Sequence, residues 1–341
     1  MKQKILILGG TKFVGRLLVS KLLEDNSYEI YLFNRGETNP NLFSNVNRIK
    51  GDRETDDIDQ IKNKKWDFVV DFSSFYPKSL LKTLLNLDKG ITKYIFISSI
   101  SAYNFTEYDS SFEITENYNL AECSKKEAVD TTLKTYGKRK AECENILKKQ
   151  EWLNKIILRP SIIYGEYDWS DRFYYWLYRV KKGHKFILPE SGQQKLSLTY
   201  AQDLVKTISE LLKSDINNGV YNCSTNEPKS LKEIVECMAI ELDLDLNDLI
   251  INISQEWLLK NSIKPQNDIP LWFGGNLMLD NQKIKKDLNI KFTDFRETVK
   301  KTIAFYNELK WYKPSIGLSK NKELETIEKV AKETNTDYNI G

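Results

Sequence analysis

Short apolar runs of strand length recur through the first half of the chain, at Ile5–Leu8, Glu29–Phe33, Phe68–Phe72, Tyr94–Ser98 and Lys155–Leu158. The intervals between them carry helical spacing, and strands alternating with helices predict an α/β fold with a parallel sheet wound on both faces. After the first run, Val14, Leu17, Leu18 and Leu22 stand at i, i+3, i+4 and i+8, a single stripe that lays a helix on the sheet. Further on the pattern loosens. Residues 166–200 are rich in aromatics, a helix is expected at about 201–213, and Val220–Cys223 reads as one more strand, so the chain re-enters the sheet once. Residues 224–341 read as helices and loops, with helical stretches at Leu231–Leu242 and Phe295–Leu309 and a charged amphipathic stretch from Glu323 to Lys332.

The first apolar run ends in Gly9-Gly10-Thr11-Lys12-Phe13-Val14-Gly15. A strand running into such a turn suits a dinucleotide: glycine lets the backbone turn sharply, Gly15 lets the next helix approach the sheet, and that helix's free N–H groups face a pyrophosphate. By itself a glycine triplet is a weak signal. Far downstream, Tyr136 and Lys140 stand at i and i+4, so a phenol and an ammonium project from one helix face. A nearby cation favours the phenolate, and this spacing predicts a lowered tyrosine pKa suited to proton transfer. Alone, the pair describes a solvated helix face equally well. It follows, however, a strand that ends in Ser98-Ser99-Ile100-Ser101-Ala102-Tyr103, and ligands of open α/β sheets bind beyond the carboxyl ends of strands. The expected fold is therefore a Rossmann-type doubly wound sheet. Residues 1–165 form its body and 198–224 return to it, while 166–197 and 225–341 build a smaller, mainly helical C-terminal lobe that takes substrate.

Composition narrows the partners. With 51 basic against 48 acidic residues in 341, the net charge of +3 offers no general field for nucleic acid or an anionic membrane. No run approaches the roughly 18 apolar residues of a membrane span, and the first residues lack a signal segment, so a cytoplasmic protein is expected. Cys123, Cys143, Cys223 and Cys237 show no paired spacing, and His184 is the single histidine, so no metal site is expected.

In joint order, Gly9–Gly15, Ser98–Tyr103, Tyr136-Gly-Lys-Arg-Lys140, Arg159-Pro160-Ser-Ile-Ile-Tyr164-Gly165 and Leu198–Leu204 resemble the extended short-chain dehydrogenase/reductase family, the NAD-dependent epimerase/dehydratase group. With Phe33-Asn34-Arg35-Gly36, the first motif is similar to a branch containing isoflavone-reductase-like and chloroplast stem-loop-binding proteins. The resemblance implies catalytic roles for Ser99, Tyr136 and Lys140. Ser99 is preferred to Ser98 and Ser101 because the family's hydroxyl stands four residues before the tyrosine matched by Tyr103. It further implies that Asp52 lies near the adenine, that Phe72, Ser73 and Ser74 line the cofactor, and that Pro160, Ile162 and Ile163 border the nicotinamide. A homodimer is also implied.

Departures from the family pattern carry information of their own. Lys12 replaces the usual middle glycine of the turn, and Asn34-Arg35 stands where an NAD enzyme places a carboxylate for the ribose 2′-hydroxyl. With no acid at that strand end, Arg35 and Lys12 suit a 2′-phosphate, so NADP(H) is favoured over NAD(H); the same residues also fit two exposed basic turn positions. Arg172 is the candidate clamp for an anionic substrate group such as a nucleotide diphosphate, or else a salt-bridge partner of Asp171. Asp203 reads as a helix anchor, and the aromatic segment Phe173–Tyr178 as packing for the lobe. Dehydratase relatives follow their catalytic hydroxyl residue with an Asp-Glu pair; Ile100 and Ser101 stand here, which argues against a 4,6-dehydratase. The expected reaction is hydride transfer at a hydroxyl or carbonyl carbon of a nucleotide sugar or similar molecule. The alternative is a nucleotide- or RNA-binding relative without turnover.

Overall fold

The computed structural model describes residues 2–225 and 227–334. Six strands come first: β1 (Gln3–Leu8), β2 (Tyr28–Asn34), β3 (Asn47–Lys50), β4 (Phe68–Asp71), β5 (Lys93–Ile97) and β6 (Lys155–Pro160). Then follow β7 (Ile162–Tyr164), β8 (Phe186–Pro189), β9 (Lys195–Leu196), β10 (Leu198–Tyr200), β11 (Gly219–Cys223), β12 (Lys229–Ser230) and β13 (Ile250–Ile253). The helices are α1 (Phe13–Asp25), α2 (Pro77–Leu85), α3 (Tyr136–Lys148), α4 (Arg172–Lys182) and α5 (Ala201–Lys213). In the C-terminal part they are α6 (Leu231–Glu241), α7 (Gln255–Lys260), α8 (Gln282–Leu288), α9 (Phe295–Glu308) and α10 (Lys320–Thr334).

Seven strands form the main sheet in the order β11-β6-β5-β4-β1-β2-β3, every neighbouring pair parallel. The central strands β4 and β5 are buried at every position because helices cover both faces. On one face, Val14, Leu17, Leu18 and Leu22 of α1 pack with Leu204, Ile208 and Leu211 of α5. On the other, Leu80 and Leu84 of α2 meet Cys143 and Leu147 of α3. The strand order reverses between β1 and β4, which opens a crevice at their carboxyl ends.

A third apolar cluster builds the C-terminal lobe. Tyr174 of α4 stacks on Tyr306 of α9 at 3.9 Å and Phe173 stacks on Tyr164 at 4.2 Å, so the aromatic segment is lobe core. Two features depart from the sequence pattern. Strand β3 buries only Ile49 among its four residues, because it lies at the sheet edge, and so shows no apolar run. Within 224–341 the structure adds β12 and β13; Ile250, Ile251 and Ile253 pair β13 in parallel with β8, a run too short to distinguish from helix by spacing.

Candidate active site

The turn after β1 is built for close approach. Gly9 and Gly10 have φ of 114° and 93°, and a Cβ on Gly10 would sit 2.8 Å from the Leu32 side chain. Helix α1 begins directly beyond, with no side-chain cap and no acidic residue in its first turn. Its leading N–H groups are therefore left for an anion, and the residues present fit a pyrophosphate. Asn34 ties the end of β2 to this turn: its amide donates to the Gly9 carbonyl at 3.0 Å and accepts from the Gly36 N–H at 3.0 Å. Asn39 likewise donates to the Thr11 carbonyl at 2.8 Å.

The basic residues expected at a 2′-phosphate are not brought together. Lys12 turns the other way, its ammonium 3.9 Å over the Trp169 ring, and Arg16 stacks 3.7 Å over Tyr167. These two contacts hold the β7–α4 loop against the start of α1. Arg35 stands on the surface and pairs with Glu37 at 3.3 Å, so an acid does reach this strand end, from two residues beyond the motif.

Past β5, the Ser98 hydroxyl donates to Glu144 at 2.6 Å, and Glu144 pairs with the buried Arg159. Arg159 also donates to the Tyr103 hydroxyl at 2.8 Å, which in turn donates to Asn222 at 2.6 Å. Ser98 and Tyr103 thus belong to a buried network joining β5, α3, β6 and β11. Ser99 is not part of it: its Oγ accepts from the Ser101 N–H at 3.1 Å and lies close enough to Tyr136 to act on the phenol. One turn along α3, the buried Lys140 donates to the Ile97 carbonyl at 2.8 Å, between the rings of Phe96 and Phe75. The hydroxyl, the phenol and the amine therefore converge at the end of β5.

The electrostatics differ from the expectation of a lowered tyrosine pKa. Burial raises the Tyr136 phenol above its ordinary value; the neighbouring Ser99 hydroxyl and the charges of Arg172 and Arg139 oppose this without reversing it. Lys140 is committed to a carbonyl, and burial pulls it down to about 8. Arg172, the first residue of α4, donates to the Ser170 hydroxyl at 3.1 Å, and its charge acts on the phenol more strongly than that of Arg139. It makes no salt bridge with Asp171, whose carboxylate accepts from Tyr312 and Ser315. Beside Tyr136, the buried Arg139 donates to the Thr132 carbonyl and lies over Tyr76, leaving its Nε and Nη1 without a hydrogen-bond partner.

Gly137 sets this geometry. A Cβ there would stand 1.9 Å from the backbone oxygen of Ser101, so only glycine lets α3 lie against the Ser99 turn. Gly137→Ala is expected to lower kcat by about 100-fold, since a displacement of about 1 Å has that cost. Cofactor affinity, measured by fluorescence titration, stays within a few-fold; unchanged kcat would show that the contact is relieved elsewhere.

The remaining positions divide. Asp52 organises its own loop, its N–H donating to Asp57 and its carboxylate accepting from Glu54. Phe72 covers the glycine turn, 3.4 Å from where a Gly9 Cβ would be. Ser73 and Ser74 are held by Asp71, which the buried Arg53 grips at 2.7 Å. Pro160 ends β6, Ile162 points into the lobe core, and Ile163 packs toward the α1–α5 face. Asp203 accepts from Thr293 N–H and Oγ, anchoring a distant loop rather than its own helix. The Arg53–Asp71 pair escaped the sequence reading, although a lone acid within Phe68-Val-Val-Asp-Phe72 was its signal.

The sequence model of the NAD dependent epimerase/dehydratase family matches residues 5–224, from β1 through the returning strand β11. The chain belongs to that family. It is 27% identical over 241 residues to the chloroplast stem-loop binding protein of 41 kDa b of Arabidopsis thaliana, an alignment covering 65% of this chain and 59% of that protein. The chain thus spans less than two thirds of that relative's length. Among solved structures, the dTDP-glucose 4,6-dehydratase of Bacillus anthracis in complex with NAD superposes with a TM-score of 0.68 at 20% identity, over 92% of this chain and 99% of that one. UDP-glucuronic acid 4-epimerase of Bacillus cereus in complex with NAD gives 0.69 at 16% identity, over 91% and 100%. Epimerases and dehydratases of the family therefore share this fold, and the likeness does not support setting dehydratases aside. Among the described residues no helix is long and apolar enough to cross a membrane, and no cluster of three His, Cys, Asp or Glu side chains is placed to hold a metal.

Proposed function

We propose that this member of the family is a nicotinamide-dependent epimerase or reductase acting at a hydroxyl or carbonyl carbon of a nucleotide sugar or similar small molecule. The observation that carries the reading is the placement of the Ser99 hydroxyl close enough to act on the Tyr136 phenol, beside the buried Lys140, at the crevice where α1 leaves its first amides uncapped. The glycine turn, Asn34, Phe72 and the Ser73-Ser74 turn would hold the dinucleotide, with Lys140 toward its ribose. When bound, it supplies a hydride acceptor or donor. Tyr136 exchanges the proton of the substrate oxygen, Ser99 orients that oxygen, and Arg172, whose charge acts on the phenol, binds an anionic substrate group. The homologous structures with bound NAD support the cofactor class. Ile100 and Ser101 provide no carboxylate, so an elimination at this site would need its acid and base from other residues.

The test is to assay the purified protein with nucleotide sugars and to identify any cofactor it retains. Retained NAD(H) with epimer formation supports an epimerase, and consumption of added NADPH a reductase. Absence of cofactor binding together with tight RNA binding would overturn both in favour of the RNA-binding alternative, which the Arabidopsis relative's name motivates. For the cofactor itself, NADP⁺ is expected to bind more tightly than NAD⁺ because Asn34 replaces the ribose-binding acid and Arg35 is exposed. Paired titrations measure this, and Arg35→Ala should bring the two Kd values together. The Arg35–Glu37 pair limits the preference, and equal affinities in the parent protein would refute it.

A further inference from the structure

At the far end of α4 from Arg172, roughly 15 Å along the helix at about 1.5 Å per residue, lies a second cavity of about 410 Å³. Five basic side chains converge on it: Arg179 and Lys182 from the last turn of α4, His184 just past Gly183, Lys313 from the segment before α10 and Lys320 at its start. Only Arg179 is matched by an acid, the buried Glu323 at 2.9 Å. Among the described residues, Lys182, Lys313 and Lys320 have no carboxylate partner. The Lys320 ammonium lies within hydrogen-bond distance of the His184 Nε2, at 3.3 Å, and the imidazolium is disfavoured first by burial and then by the charges of Lys320, Arg179 and Lys182. Concentrating this much positive charge is unfavourable unless an anion joins it. Tyr178, Pro314 and Ile316 form an apolar and aromatic part of the wall beside the basic groups, and Ser319 and Asn321 add polar side chains.

We propose that this cavity is a second ligand site, separate from the Tyr136 crevice, which binds a small organic phosphate such as a nucleoside monophosphate. The phosphate bridges Lys182, Lys320 and His184, and the organic body lies against Tyr178 and Pro314. A phosphate oxygen accepting from both Lys320 and a protonated His184 replaces their mutual contact with two charge-assisted hydrogen bonds, and so favours protonation of the imidazole. The volume admits a group larger than inorganic phosphate, which leaves the apolar wall bare.

His184 is the only histidine, so its ring C–H resonance reports the site in the intact chain without assignment by mutation. Titrating AMP, UMP and inorganic phosphate at neutral pH is expected to give a saturable shift of that resonance. The nucleotides should bind at least about tenfold more tightly than inorganic phosphate. Lys182→Glu combined with Lys320→Glu should weaken AMP binding by at least about tenfold, and Lys313→Glu alone by less, all positions being exposed and outside the core. NAD(P)H titration of the same variants should be unaltered, which separates this site from the proposed cofactor crevice. No saturable shift with any probe, or a shift unaffected by the charge reversals, overturns the proposal. Inorganic phosphate binding as tightly as AMP overturns the organic body, and displacement of AMP by stoichiometric NAD(P)H assigns the site to the cofactor instead.

Discussion

Replacing Tyr136 by Phe is expected to lower turnover by about 100- to 10,000-fold, the range for removing a positioned acid–base group, while cofactor affinity changes by no more than a few-fold. The ring keeps its place beside Phe75, 6.2 Å between centroids, and only the hydroxyl that meets Ser99 is lost. Because burial raises the phenol, Tyr136 is protonated and a donor at neutral pH, suited to delivering a proton to a carbonyl oxygen undergoing reduction. In the oxidative direction it must first lose that proton, so the parent rate climbs toward alkaline pH and the Phe variant loses this limb. Steady-state kinetics across pH, with substrate identified as above, measure both effects. Unchanged turnover in the variant would remove Tyr136 from the chemistry and with it the proposed reaction.

The phenol is raised for a reason the linear sequence could not show. Spacing places Tyr136 and Lys140 one turn apart, but which partner each finds depends on how α3 is seated at the end of β5. The lysine reaches the Ile97 carbonyl, and the charges that act on the phenol are those of Arg172 and Arg139. The sheet was legible because central strands buried on both faces must be apolar throughout, as β4 and β5 nearly are. Edge strand β3, with one buried residue, left no such mark. Similarly, the choice of Ser99 over Ser98 rested on resemblance, and the structure separates them by charge: Ser98 is bound to the Glu144–Arg159 pair, leaving Ser99 to meet the phenol. Lys12 and Arg35, four residues or fewer from their strand ends, looked like one phosphate clamp and are directed apart by Trp169 and Glu37.

The pair hidden beneath the cofactor turn should matter most for stability. Asp71 is fully buried at the end of β4 and accepts from Arg53, Tyr94 and the Ser73 and Ser74 N–H groups, while Arg53 also donates to Thr83 on α2 at 2.8 Å. Arg53→Ala leaves the carboxylate buried and uncompensated, which is expected to destabilise the protein by about 3–5 kcal/mol. Replacing both partners, Arg53→Met with Asp71→Leu, costs less than the single change because no unpaired charge remains. The sign with pH follows from Asp71, which burial alone would raise but which Arg53 and its hydrogen bonds hold down at about 2. A depressed carboxylate stabilises the fold above its unfolded value of about 3.9, and that contribution disappears as pH falls from there toward the folded value. Thermal or denaturant unfolding should therefore show the parent losing stability over that acid interval, with the double variant losing less. Since the same carboxylate fixes the Ser73-Ser74 turn, Arg53→Ala should also weaken cofactor binding at temperatures where the chain remains folded. A variant as stable as the parent would mean that water or a rearranged side chain satisfies Asp71, and that the turn does not depend on this ion pair.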